Sequence, residues 1–266
     1  MKRRTFLQQS SLAAAGLALS SCTPRLAVPA GKTHVLTLSF DDGFKQSFYR
    51  IAEIHEAYGL KACLNVIATG HLPDFRKVDD WILPEILGDF EDWNRLSGRG
   101  HEVMPHSWKH LNLTKIPVAQ AQENILKCLN YFEENLDGYN PKQAVYNYAF
   151  DASTEALDAF TLQHVKAVRT GGWLLWKDQA YNAMPVNEQT GRLGCWTNGP
   201  DNNDRWVDQQ INKFLKTDGG WLILNLHGLD NEGWGPISTS YLDKLLKRLV
   251  AIEKLTVLPA GEALAI

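Results

Sequence analysis

Short apolar runs alternate along this chain with longer stretches whose apolar residues recur every three or four positions, and that alternation decides what it can build. The runs at 35–40, 62–68, 101–105, 144–150, 166–170, 221–226 and 255–258 read as strands. Helices are expected between them. One covers 44–58, with Phe44, Phe48, Ile51, His55 and Tyr58 on one face and Gly59 as its stop. Others cover 84–96, 117–136 with Pro117 in the first turn, 156–164 with Ser153 as N-cap, 207–215 and 240–250. Strands alternating with helices imply a parallel sheet covered by helices, an α/β fold. The segment 171–205 is rich in Trp, Asn and Gly and has no clear period, so an irregular connection hiding one strand is expected there.

The chemistry-bearing residues Asp41, Asp42, His106, Phe150 and His227 all fall at the C-terminal ends of such runs, where a β/α barrel gathers its site. Asp41 and Asp42 are adjacent, so in a continuing strand they point to opposite faces. Gly43 lets the chain turn and frees one of them for a metal while the other faces substrate. His106 and His110 have the spacing that stacks two imidazoles along one helical turn. One carboxylate and two imidazoles hold a divalent metal and leave a coordination position open for water. Zinc comes first for that donor set, with cobalt, nickel or iron open. A spare carboxylate beside it completes the equipment for hydrolysing an amide or ester.

Ser39-Phe40-Asp41-Asp42-Gly43, His106-Ser107-Trp108-Lys109-His110 and Ile223-Leu224-Asn225-Leu226-His227 together resemble the first, second and fifth motifs of the polysaccharide deacetylase family, from about Thr33 to the C-terminus. The resemblance implies a distorted (β/α)7 barrel as a single domain over 33–266. It implies Asp41 as general base, Asp42, His106 and His110 as metal ligands, and His227 as the acid that protonates the leaving group. The third motif is altered to Tyr146-Asn147-Tyr148-Ala149-Phe150-Asp151, which puts the Phe150 backbone N–H at the oxyanion hole. Asn147 stands where many members carry an arginine that orients the base, and Arg169 at the end of the next strand is the candidate replacement. The fourth motif, an aspartate that tunes the acid, has two candidate places, Trp176-Lys177-Asp178 and the stretch from Asp201 through Asp204 to Trp206. Among the tryptophans, Trp108 and Trp234 are the candidates to line the cleft.

The N-terminus is read as processing signal rather than fold. Lys2-Arg3-Arg4-Thr5-Phe6-Leu7-Gln8 resembles a twin-arginine export signature, and Leu19-Ser20-Ser21-Cys22 resembles a bacterial lipobox. Residues 1–21 would be a removed signal, Cys22 a lipid-modified first residue, and 22–32 a tether. The expected location is the bacterial cell envelope, with membrane contact only through that anchor. Removing 1–21 takes away Lys2, Arg3 and Arg4 and no acid, so the formal charge of −3 becomes −6, which argues against nucleic acid as a partner. Cys63, Cys128 and Cys195 lack metal-type spacing. The expected function is metal-dependent removal of acetyl groups from an N- or O-acetylated glycan. Peptidoglycan, chitin fragments, poly-N-acetylglucosamine and acetylated xylan all stay open. Two other classes compete: a non-catalytic glycan-binding lipoprotein on the same barrel, and a glycoside hydrolase using paired carboxylates.

Overall fold

Residues 34–40 show no in–out alternation, because every one of them is buried, as a central strand of a parallel sheet requires. The computed structural model describes residues 31–75, 81–178, 180–184 and 191–266; the signal, Cys22 and most of the tether lie outside the described residues. The strands are β1 (His34–Phe40), β2 (Cys63–Val66), β3 (Glu102–Pro105), β4 (Val145–Asn147), β5 (Ala167–Gly171), β6 (Arg192–Cys195), β7 (Gly220–Leu226) and β8 (Leu255–Val257). The helices are α1 (Lys45–Glu56), α2 (Phe90–Gly98), α3 (Val118–Asn135), α4 (Glu155–Thr161), α5 (Gly172–Leu175), α6 (Asp204–Phe214), α7 (Thr239–Val250) and α8 (Ala260–Ala263).

All pairings between these strands are parallel. β1 pairs along its whole length with β7, from His34 opposite Gly220 to Phe40 opposite Leu226. Its other edge is divided: β8 takes residues 34–36, and β2 takes Ser39 and Phe40. β3 continues from β2, while β4, β5 and β6 form a second set. Trp196 joins β6 to β7, its N–H donating to Ile223 O (3.0 Å) and its carbonyl accepting from Asn225 N–H (2.8 Å). Between β3 and β4 no backbone ladder forms among the described residues. Asn147 laces that seam instead: its Nδ2 donates to Pro105 O (3.2 Å), and its own carbonyl accepts from His106 Nδ1 (3.1 Å). β1 to β7 thus run in chain order around a distorted (β/α)7 barrel with β8 as an added half-strand.

The helices cover the barrel with one apolar face each. α1 buries Phe48, Ile51 and Ala52, and α3 buries Ala121, Ile125, Leu129 and Phe132. Each large side chain so removed from water contributes about 1.5–3 kcal/mol. Several details differ from expectation. The helix expected at 84–96 is a short turn, Pro84–Ile86, followed by α2, because Asp89 caps a new start by accepting from Glu91 and Asp92 N–H. The strand expected over 144–150 ends at Asn147, where a tight turn at Ala149–Asp151 begins. Thr154, rather than Ser153, caps α4, and the Ser153 hydroxyl donates to Thr170 Oγ1 (3.0 Å) instead. The segment 171–205 contains the one expected strand, β6, and also the short α5.

That segment lacks a period because its packing unit is an indole laid on a glycine. A Cβ at Gly171, Gly172, Gly194 or Gly199 would lie 2.4–2.8 Å from a ring atom of Trp173, Trp196, Trp176 or Trp234 respectively. Glycine is needed at these places for close approach, a requirement that follows tertiary contact rather than any repeat along the chain.

Candidate active site

Asp41 sits one residue past β1, with its N–H still donating to Leu226 O (2.9 Å), so its side chain keeps the strand's inward direction. The chain turns at the next residue. Asp42 itself adopts a left-handed backbone (φ 81°), as does Gly43 (φ 94°), so the turn that separates the two carboxylates starts at Asp42 and not at the glycine alone. Asp41 is fully buried and held at both oxygens: Asn65 Nδ2 donates to Oδ1 (2.7 Å) and Arg169 Nη2 donates to Oδ2 (2.5 Å). Arg169 thus makes with Asp41 the contact that its place at the end of β5 suggested. Burial works against its charge, but Asp41 and Asp151 outweigh that and keep the guanidinium protonated. Among the described residues Asn147 is not in hydrogen-bond contact with Asp41; its Nδ2 donates to Asn65 Oδ1 (2.9 Å), one step removed.

His106 and His110 converge on Asp42, but not along a helical turn as expected. Ser107 (φ 69°) and His110 (φ 51°) both adopt left-handed backbone, and Ser107 Oγ accepts from His110 N–H (2.9 Å), closing a tight loop. The carbonyls of Ser107 and Trp108 accept from Ala68 and Thr69 N–H, fixing that loop to the end of β2. Asn147 O can only accept, so His106 Nδ1 carries the proton and Nε2 presents its lone pair to the site. Asp42 Oδ1 lies 3.4 Å from His106 Nε2 and 3.3 Å from His110 Nε2, and all three ligand atoms lie within 4.8 Å of one another. Metal–ligand bonds of about 2.0–2.1 Å at tetrahedral angles set neighbouring ligand atoms about 3.3–3.4 Å apart, so the donor set fits a divalent cation.

Electrostatics agree with that fit. Burial opposes ionisation of Asp42, yet the imidazoles of His106, His110 and His227 beside it hold its carboxyl below the usual range. Burial alone would lower His106, but the charges of Asp41 and Asp42 raise it. The cluster holds three buried carboxylates, Asp41, Asp42 and Asp151, against the one guanidinium of Arg169. With neutral imidazoles the surplus is two negative charges, which a dication balances.

Backbone strain gathers at the same place. Among the described residues, six non-glycine positions have positive φ, and Asp42, Ser107, His110, Phe150 and Asp151 are five of them. Each costs on the order of 1–3 kcal/mol and persists because surrounding contacts dictate it.

A cavity of about 340 Å³ opens over these residues, walled by Phe150, Trp81, Trp234 and His227, with Asp151 and Asn225 also among its lining residues. Phe150 and Trp81 are 49 % and 42 % exposed, so their rings are available to a ligand. Trp234 lies edge-on to His227 at 5.8 Å, where it was expected. Trp108 does not reach the cavity: its indole packs on Tyr131 (5.3 Å) and against the core, because the left-handed turn at Ser107 carries it outward. None of the three aspartates in the two candidate fourth-motif stretches, Asp178, Asp201 and Asp204, is hydrogen-bonded to His227 Nδ1. Asp204 accepts from Ser238 N–H and Oγ, and Asp178 is exposed on the surface. His227 Nδ1 is buried with no hydrogen-bond partner among the described residues. Asn65, Asp151, Asn225 and Trp81 are site residues that the sequence reading missed. Asp151 receives both hydrogen bonds of Asn225 Nδ2 (3.0 and 3.1 Å) and lies 3.5 Å from Arg169.

The sequence profile of the polysaccharide deacetylase family matches residues 29–167. Three solved structures share the fold. A polysaccharide deacetylase from Mycobacterium smegmatis is 14 % identical over 90 % of this chain and 91 % of that one, with a TM-score of 0.59. A peptidoglycan deacetylase from Bacillus subtilis is 19 % identical over 88 % and 91 % of the two chains (TM-score 0.55). A carbohydrate esterase family 4 pseudoenzyme from Bacillus anthracis is 14 % identical over 88 % of this chain and 66 % of that one (TM-score 0.53). No curated protein sequence matches the chain.

Proposed function

The chain belongs to the polysaccharide deacetylase family, and on that premise we propose that it is a metal-dependent hydrolase removing acetyl groups from an acetylated glycan. The observation that carries the reading is the convergence of His106 Nε2 and His110 Nε2 on Asp42 Oδ1, each at tetrahedral spacing from it, beside a carboxylate that is not one of the three. Asp42, His106 and His110 would hold a divalent cation, zinc before cobalt, nickel or iron, which would supply Lewis acidity and activate water.

The protein's own groups do the proton work. Asp41, its two oxygens fixed by Asn65 and Arg169, takes the proton of the attacking water. The Phe150 N–H, on its left-handed turn at the cavity wall, serves the developing oxyanion. His227 delivers a proton to the leaving amine or alcohol, and Trp234 against its ring restricts how it turns. Phe150, Trp81 and Trp234 offer apolar faces to sugar rings. The export and anchoring signals carry over as part of the proposal: a lipoprotein of the bacterial envelope, tethered through Cys22.

Acetate release from a panel of N- and O-acetylated glycans tests the reading. Chelation should abolish release and added zinc should restore it. Full activity in protein shown metal-free by elemental analysis would refute it. The unpartnered His227 Nδ1 favours one second reading, a glycan-binding protein without turnover. That reading expects the metal and glycan to bind with no acetate formed.

A further inference from the structure

We propose that Asn65 is a positioning residue for Asp41, the second arm of a divided clamp whose first arm is Arg169; the inference rests on Asp41 acting as the base. The two arms differ in origin and charge. Arg169 reaches Oδ2 from β5 with a guanidinium, and Asn65 reaches Oδ1 from β2 with a neutral amide. The amide cannot be reversed, because a carboxylate only accepts hydrogen bonds and so requires Nδ2 toward Asp41.

The other end of the Asn65 amide is tied as firmly. Its Oδ1 accepts from Asn147 Nδ2 (2.9 Å), and its Nδ2 is shared with Ser39 Oγ (2.8 Å). Asn147 in turn receives the His106 Nδ1 proton on its backbone oxygen. One buried line of hydrogen bonds therefore runs from Asp41 through Asn65 and Asn147 to the imidazole of His106, across the seam that no backbone ladder closes. Asn65 and Asn147 are essentially fully buried (0 % and 1 % exposed), so water cannot replace either amide. Losing the Asn65 arm leaves Asp41 free to swing about its remaining bond to Arg169. Its distance to the metal-ligand set then varies, and displacement on the order of 1 Å costs about 10²-fold in rate.

Asn65→Leu keeps the volume and removes the donor. It should lower kcat by on the order of 10–10²-fold, leave KM within about threefold, and leave zinc content and the circular dichroism spectrum unchanged. Because Asn65 acts only through Asp41, combining it with Asp41→Asn should slow the enzyme no further than Asp41→Asn alone. A folded, zinc-loaded Asn65→Leu with kcat within about threefold of the parent overturns the inference, as does a multiplicative loss in the double variant. If the leucine variant does not fold, Asn65→Ser carries the same readouts, and failure of both to fold assigns Asn65 to the core and overturns it too. Undiminished turnover by Asp41→Asn alone is a different result, which removes the base reading itself.

Discussion

Asp41 and Asp42 are neighbours in sequence with opposite fates, and the difference is set by one backbone angle. Asp41 keeps β1's direction and meets Asn65 and Arg169, whereas Asp42, at φ 81°, is thrown toward His106 and His110. Their amide variants should therefore fail differently. Asp41→Asn should retain zinc, measured by elemental analysis, while kcat falls by on the order of 10²–10⁴. Asp42→Asn should lose zinc at concentrations that saturate the parent. Reversed phenotypes would exchange the two roles. The pair was legible because both residues sit at the end of an apolar run, a local signal. Asn65 was not: an amide inside a strand looks the same whether it faces a buried carboxylate or a water. Asp151 was hidden for a related reason, since its place depends on two successive left-handed residues that no composition announces. Trp108 was misplaced because its motif fixes the flanking histidines, and the indole follows the turn between them outward to Tyr131.

At the scale of elements, α1 carries a titration that reports on the fold apart from the site. His55 is buried on its inner face, and its Nδ1–H donates to Ile51 O (2.8 Å). Burial pushes the imidazole from 6.5 down to about 4. The native state refuses a proton that the unfolded chain accepts below pH 6.5, so stability is lost as pH falls through the window from 6.5 to 4. At the bottom of that window the loss is about 3 kcal/mol. Urea unfolding across this range should show a shallower pH slope for His55→Gln than for the parent; identical slopes would rule out His55 as the source. Helices such as α1 and α3 were legible from periodicity because one face meets the barrel along their whole length. The 171–205 segment was not, because its glycines and tryptophans answer to each other across the fold.

For the whole molecule, the proposed loss of 1–21 gives a formal charge of −6, and the proposed anchor at Cys22 would make it a tethered acidic body. Labelled fatty acid should be incorporated into the native protein and absent from Cys22→Ser, scored by fluorography. No incorporation into the parent would leave a freely diffusing exported protein. The divided edge of β1 bears on how such a body comes into being. β1 finds its full-length partner in β7 and its second in β8, both far downstream of it, and only Ser39 and Phe40 pair with the strand that follows next, β2. Contacts so distant along the sequence make assembly slow and all-or-none, since their loop-closure entropy must be met before they return any stability. Asp41 hangs from that strand, its N–H waiting for Leu226. The Asp41 carboxylate is thus synthesised long before the strand that fixes it, so a nascent or truncated chain that stops short of β7 carries this carboxylate without its setting.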